Sequence, residues 1–448
     1  MSSTKHFDII IIGGGMAGCA AAISSARSGC NTILIEHYGF LGGWATAALV
    51  NPFMTHRTSD GKPLIGGLFD EIKTRLQDMN GLLQNCFDSE AMKYTLQEMV
   101  LEAGSQIRLH TDLEEAAYAD DGSIIVRLRS KSGIEVMTCN RLIDCSGDGD
   151  AAISLGATYQ TGDEKGLPQA VTLMFDMGGV NLEKAMQYVR DHPDQMRFPK
   201  LDPKSNIQEL TSGIISAAGY YDLIQKARDN GEYNAPGDLI FYVGRPRKGE
   251  VAFNTTHVGG VNGTNAEDLT RAEVESRRQM MSIVAFVQKY VPGFENAYLL
   301  RSATQVGVRE TRRIIGDYIF NELDVIKGKK IDDVICKLAY PVDVHSGKGD
   351  GYTKSEEYTG PQVPPAGDWY EIPYRCLLPV GLENILVAGR CASSTQAGNG
   401  AIRIIPSCIA MGQAAGIAAA LSITNNTSLR NIDINQLHQQ LRNQGALV

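Results

Sequence analysis

The chain has 448 residues, 43% apolar and 21% charged, with a net charge of −9. That is the balance of a globular protein with a substantial core and two or three domains, and it argues against an overall basic surface for nucleic acid. The nine cysteines are odd in number and form no Cys-x-x-Cys pair, against a disulfide framework, a zinc ribbon or a dithiol pair and in favour of a reducing cytoplasm.

In chain order, Phe7–Ile12 is a continuous apolar run suited to a strand buried on both faces. Although it resembles the core of an export signal, Asp8 and three successive glycines mark a strand and a turn. Residues 13–18 form the turn, Ala17–Ser28 a small-residue helix closed by Gly29, and Asn31–Glu36 a second strand, which completes a βαβ unit. Asp88–Ala103 has helical spacing, with Asp88 as its cap and Gly104 at its end. Ile107–Tyr118, Ser123–Ser130 and Glu135–Cys139 read as a β-meander, with turns at Asp120-Asp121-Gly122 and Lys131-Ser132-Gly133. Arg141–Cys145 reads as a further buried strand. From Thr158 to Pro373 the chain is more polar, with separate helices such as Asp268–Tyr290 and a proline-rich loop over Tyr358–Tyr370. The end returns to α/β style, with a strand over Asn384–Ala388 and a helix over Pro406–Ile423, which is too short and glycine-rich for a membrane span. The expected fold class is therefore α/β: a Rossmann-type domain with a β-meander, discontinuous over 1–157 and 374–448, interrupted by an α+β cap or substrate domain over 158–373.

Three glycine turns carry the chemistry. The first, Gly13-Gly14-Gly15-Met16-Ala17-Gly18, follows a strand and opens a helix, the context that gives G-x-G-x-x-G its meaning. Gly13 permits the tight turn, Gly15 lets the backbone approach a pyrophosphate, and Gly18 permits close helix–strand packing. Glu36, ending the second strand, suits ribose hydroxyls and would repel a 2′-phosphate. The second group is Gly42, Gly43 and Thr46, where the backbone can lie against a flavin or its phosphates. The third is Ser146-Gly147-Asp148, a glycine turn at a strand end, where ligands gather in open α/β sheets. Gly389 and Arg390, before the final loop and helix, and Gly412, in that helix's run of small residues, are further candidates for cofactor binding, as is Arg403, which lies just before the helix facing flavin or substrate, with a salt bridge as its alternative role.

The motifs IIIIGGGMAG with Glu36, GFLGGWAT, IDCSGDGD, GVRETRRIIGDY, PVDVH, IPYR and LVAGRCASS with IRIIPSCIAMGQAAG span nearly the whole chain. They resemble those of the FAD-dependent oxidoreductases of the glutathione-reductase type, a group that also holds the fumarate reductase flavoprotein subunits. The resemblance implies FAD as cofactor and places the N-terminus of the last helix at the flavin, where its dipole favours negative charge. A covalent flavin–histidine link is not expected, because no histidine stands in residues 42–50.

Candidates for substrate orientation and proton transfer are Arg309, Arg312 and His345. Arg309 and Arg312, after an expected strand over Leu300–Gly307, would share a helix face and grip a carboxylate; an ion-pair network with Glu310, Asp317 or Glu322 is the alternative. His345, in a strand-like setting two residues after Asp343, has a titration range suited to proton transfer, though a lone histidine is more often a structural residue. His257 and Tyr374-Arg375 follow, and Cys391 reads as packing. No metal site is expected. The reading is hydride transfer between non-covalent FAD and a small organic substrate, a carboxylate among the candidates, with a separate electron donor or acceptor. The alternatives are an RNA-modifying flavoprotein and a flavin sensor without turnover; neither nucleic acid nor membrane is an expected partner.

Overall fold

The computed structural model describes residues 4–198, 201–351 and 362–448. The N-terminal strand Lys5–Ile12 pairs in parallel with Thr32–Ile35, in the register Ile9 to Thr32 through Ile12 to Ile35. The side chains of Ile9–Ile12 and Thr32–Ile35 are buried on both faces, as expected for a parallel sheet covered on each side. On its other edge Lys5–Ile12 pairs in parallel with Gly133–Asp144, and Ile385–Val387 pairs in parallel with the end of that same strand. Gln106–Arg108 closes one side of this seven-stranded sheet, and Ile124–Ser130 and Thr111–Tyr118 form the antiparallel side. The late strand therefore returns to the sheet begun by the first residues.

Gly133–Asp144 is one twelve-residue strand, not the two expected over Glu135–Cys139 and Arg141–Cys145. Its first half serves the half-exposed meander and its last residues are buried between parallel neighbours, so the side-chain pattern changes along one continuous backbone. The expected strand Ile107–Tyr118 is two, broken where His110 takes φ +53°.

Two helices close over one face of the sheet. Met16–Arg27 and Ile405–Thr424 lie against each other through their small residues. A Cβ on Gly412 would stand 2.0 Å from the Ala17 carbonyl oxygen, and one on Gly416 would stand 2.4 Å from that of Ala21. Ile405–Thr424 has the length and apolar composition of a membrane span, yet 72% of its apolar window is buried inside the fold. It is a core helix here, in a cluster with Ile23, Phe69, Leu96 and Leu437.

A second, six-stranded antiparallel sheet runs in the order 196–198, 216–219, 240–244, 251–253, 175–178, 298–302. The 25-residue helix Ala266–Tyr290 packs on it through Ile283, Phe286 and Val287, and begins where the Asn265 side chain accepts from two backbone N–H groups. This sheet has its own core, around Phe175, Tyr242, Phe253 and Phe294. Phe320, Ile335, Tyr370 and Ile372 instead belong to the core of the N-terminal half. The last portion of the polar stretch expected as one cap to residue 373 therefore packs with the parallel sheet.

Several local expectations differ. The strand expected over Leu300–Gly307 is Tyr298–Ser302, followed by irregular chain. Residues 341–345 are not strand, and residues 309–312 are not helix, so the shared face expected for Arg309 and Arg312 does not form. The loop expected over Tyr358–Tyr370 falls partly outside the described residues, which resume at 362.

Candidate active site

The parallel strands end together, and a cleft of about 350 Å³ opens at those ends, with Ile12, Ile35, Cys145 and Ala388 on its floor. Such strand ends are where ligands bind in open α/β sheets. Gly13, with φ +95°, turns the chain out of the first strand, and its N–H donates to the Ile35 carbonyl at 2.8 Å. A Cβ there would stand 2.4 Å from the Cys145 carbonyl oxygen. Gly15 caps the first helix without a side-chain partner for the helix N–H groups, and it lines the cleft. The bare helix terminus is therefore open to an anion.

Gly42 and Gly43 meet the first turn. Gly42 N–H donates to the Gly14 carbonyl at 2.8 Å, and a Cβ on Gly43 would stand 2.8 Å from Gly15 Cα. Thr46 is behind this wall, with its hydroxyl donating to the Leu41 carbonyl at 2.8 Å, so it holds the loop from outside the cleft lining. Gly18 is also outside the lining, and a Cβ on it would stand 1.8 Å from the Gly13 carbonyl oxygen. Gly412 packs against Ala17, away from the cleft.

Glu36 lines the cleft and is buried. Its carboxylate accepts from Gly14 N–H at 2.6 Å and Tyr38 N–H at 2.8 Å, and His37 Nδ1 stands 3.1 Å away. Burial pushes its carboxyl upward, opposed by His37 and the backbone donors. These bonds lock its orientation at the edge of the opening. Beside it the Tyr38 hydroxyl is buried without a partner.

On the other strand end, Ser146, Gly147 and Asp148 line the cleft with Arg390 and Gly389. Arg390 Nη2 donates to Asp148 Oδ1 at 2.7 Å, and Thr311 Oγ1 donates to the same oxygen at 2.7 Å. The Arg390 guanidinium also lies 5.7 Å from the Trp44 ring centre. Trp44 Nε1 donates to the Val308 carbonyl at 2.9 Å, tying the turn after the second strand to the chain that leaves the antiparallel sheet. Trp44 belongs to GFLGGWAT, yet nothing in its spacing announces that bond.

The three catalytic candidates separate. Arg312 is not itself among the lining residues, but it donates at 2.8 Å to Oδ1 of Asp150, which lines the cleft. Arg313 and Glu310 form a buried pair at 2.8 Å, the ion-pair alternative weighed for this segment. Arg309 is buried and donates to the Ala170 carbonyl at 2.5 Å. It belongs with His345, His257, Asp343 and Arg403 in a polar cluster beside the cleft. His345 Nε2 lies 3.5 Å from Asp343 Oδ1, and the rings of His257 and His345 are 6.1 Å apart. Arg403 lines the cleft and donates to the Asp343 carbonyl at 3.0 Å. Burial and the Arg309 charge push His345 down to about 4, against the pull of Asp343. Burial, Arg309 and His345 push His257 down to about 3, against its bond to the Thr255 carbonyl. Burial opposes the charge on Asp343, but His345, Arg403 and Arg309 outweigh it and hold the carboxyl well below the usual range. Both imidazoles are neutral at pH 7. Tyr374 and Arg375 lie elsewhere: the Tyr374 hydroxyl donates to the Leu429 carbonyl and Arg375 pairs with Asp333. Among the described residues no His, Cys, Asp and Glu group is arranged to hold a metal.

This cleft fits an adenine dinucleotide. It has an uncapped helix terminus, a glycine pair at contact distance, a fixed acidic side chain, and the first turn of a second helix at Ile405 and Cys408. The model of the FAD dependent oxidoreductase family matches residues 8–441. The tRNA uridine 5-carboxymethylaminomethyl modification enzyme MnmG of Syntrophotalea carbinolica is 55% identical over 32 residues, which are 7% of this chain and 5% of that protein. Among solved structures, a geranylgeranyl bacteriochlorophyll reductase-like protein from Thermoplasma acidophilum superposes with a TM-score of 0.44 at 12% identity, over 98% of this chain and 84% of that one. The myxobacterial chondrochloren halogenase CndH gives 0.47 at 11% identity, over 98% and 79%. The chain belongs to the FAD-dependent oxidoreductase family, and FAD is the cofactor of this enzyme.

Proposed function

We propose that this enzyme oxidises or reduces a small, carboxylate-bearing organic substrate in the cleft between the parallel strand ends and the antiparallel sheet. The observation that carries the proposal is Arg403, a cleft-lining guanidinium backed by Asp343 and next to His345 and Arg309. Bound non-covalently, FAD supplies hydride exchange with a substrate carbon. In this reading the turn at Gly13 and Gly15 holds the pyrophosphate and Glu36 the ribose. Gly42, Gly43, Ser146, Gly147, Asp148, Gly389 and Arg390 shape the path between them and the ring.

Arg403 and Arg309 set the electrostatics at the substrate end. A substrate carboxylate beside them offsets the positive field that now depresses His345, and so moves its titration back toward the range of general acid–base work. Asp343 then steadies the imidazolium formed when His345 takes a proton from substrate. The antiparallel half, through Val308 and Leu269, keeps bulk water from that end. A separate donor or acceptor completes the electron cycle, and the reducing cytoplasm suits nine unpaired thiols.

The test is anaerobic photoreduction of the holoenzyme followed by reoxidation with a panel of small acids, enones and sugars. A substrate-specific rate with acids, reduced in His345→Asn while FAD stays bound, supports the reading. Reoxidation that no member of the panel accelerates refutes it and favours a sensor.

A further inference from the structure

One polar group in the cleft wall has its direction fixed and its hydrogen bond unmade. Tyr38 lines the cleft two residues beyond Glu36, and its hydroxyl is buried without a partner. The ring is held in place by its neighbours. It stacks on Phe40, with centres 5.1 Å apart and planes 5° from parallel, and the His37 ring centre stands 3.9 Å off. Lys93 Nζ in turn lies 4.2 Å from the Phe40 ring centre. At the backbone, Tyr38 N–H donates to Glu36 Oε1 at 2.8 Å. A ring fixed in this way gives up little rotational freedom when its hydroxyl meets a ligand.

Burial, and then the carboxylates of Glu36, Glu273 and Asp148, push the phenol above its ordinary range, so it is a donor at neutral pH. These carboxylates belong to different walls. Glu36 follows the second strand, Asp148 lies in the glycine turn after Gly133–Asp144, and Glu273 is on the helix Ala266–Tyr290, one turn beyond the cleft-lining Leu269. Each has other donors: Glu36 takes Gly14 and Tyr38 N–H, Asp148 takes Arg390 and Thr311, and Glu273 takes Val306 N–H and Arg277. The phenol therefore stands among carboxylates and bonds to none of them, which is costly for a buried donor. The acceptor that suits it is an oxygen of the ligand, and beside Glu36 and the bare helix terminus at Gly15 that ligand is the nucleotide.

We propose that Tyr38 is a cofactor-binding residue whose hydroxyl donates to an oxygen of the ADP portion of FAD. This rests on the placement of the nucleotide at Gly13, Gly15 and Glu36 given above, and not on the choice of substrate. Sequence patterning does not single out Tyr38, because its spacing from Glu36 says nothing of where the hydroxyl points.

The test is Tyr38→Phe, which keeps the stacked ring and removes one oxygen. Because the hydroxyl has no partner in the protein, the FAD-stripped full chain should melt at the wild-type temperature or slightly above it. FAD, followed by fluorescence quenching, and ADP, followed by calorimetry, should both bind about three- to tenfold more weakly, as expected for one lost hydrogen bond. Adenosine distinguishes the two kinds of oxygen: an equal loss for adenosine places the bond on the ribose, and a loss confined to FAD and ADP places it on phosphate. A variant that binds FAD like wild type overturns the proposal. So does one that loses affinity for FAD but not for ADP, which would put the contact on the flavin half, and so does an early melt of the stripped variant, which would mean a partner within the protein. If Gly15→Ala weakens FAD binding and Tyr38→Phe does not, the role of Tyr38 alone falls; if neither does, the placement of the nucleotide falls with it.

Discussion

Gly15→Ala separates cofactor binding from folding. Gly15 has φ −68° and ψ −176°, extended backbone that alanine adopts without strain. The nearest atom to an added Cβ is Gly43 Cα at 3.8 Å, ordinary van der Waals contact. The folded apo-protein therefore accommodates the methyl group, and only a weak N-cap preference is lost, a few tenths of a kcal/mol up to about 1. For a chain of this size that moves the melting temperature by no more than about 2 °C. In the proposed binding mode the same methyl stands where a phosphate approaches the helix N–H groups. Losing one backbone bond to a charged oxygen costs about 1.5–3 kcal/mol, roughly ten- to a hundredfold in FAD affinity. Gly18→Ala is the contrast: its Cβ would stand 1.8 Å from the Gly13 carbonyl oxygen, a clash with backbone, and it should destabilise the apo-protein by about 1–3 kcal/mol or more. The assay pairs melts of FAD-stripped protein with titration of FAD by fluorescence quenching. A Gly15→Ala protein that binds FAD like wild type refutes the assignment of this turn to the pyrophosphate. One that melts as early as Gly18→Ala refutes the packing argument.

Further expectations concern the cluster beside the cleft. Because the fold holds His345 near 4 and His257 near 3, against about 6.5 in the unfolded chain, unfolding takes up protons below pH 6.5. Stability is complete above that pH and is lost as pH falls toward 4; melting temperatures from pH 7.5 to 4.5 should show this slope, reduced in His257→Gln, and a flat profile in wild type contradicts it. Arg312→Ala breaks a partly exposed pair with Asp150 and should change stability by less than about 1 kcal/mol with turnover unaltered. Arg309→Ala leaves the Ala170 carbonyl without its donor and should cost about 1–3 kcal/mol and slow turnover; equal effects in steady-state assays and melts would put the two arginines back in one role. Trp44→Phe removes the bond to the Val308 carbonyl and should cost about 1 kcal/mol while raising KM more than it lowers kcat, which steady-state kinetics can resolve.

The βαβ unit, the glycine turns and Glu36 were all legible in order along the sequence, because each depends on contacts between near neighbours or on a period of 2 or 3.6 that one segment carries by itself. Asp88 as a helix cap is of the same kind, its side chain accepting from Glu90 and Ala91 N–H. The late return to the first sheet was suggested by the α/β style of the last segment, but its pairing of Ile385–Val387 with residues 142–144 is long-range. Tertiary structure decided the rest. Arg309 and Arg312, three residues apart, take different partners because the segment is not helical: one finds Ala170 while the other finds Asp150. Gly412 looks like a cofactor glycine in its motif, but the crossing of two helices makes it a packing residue against Ala17. The group at Gln169, Asp343, His345 and Arg403 draws on segments more than 200 residues apart. Their chemistry depends on burial and on charges brought close in space, quantities that no local pattern of residues encodes.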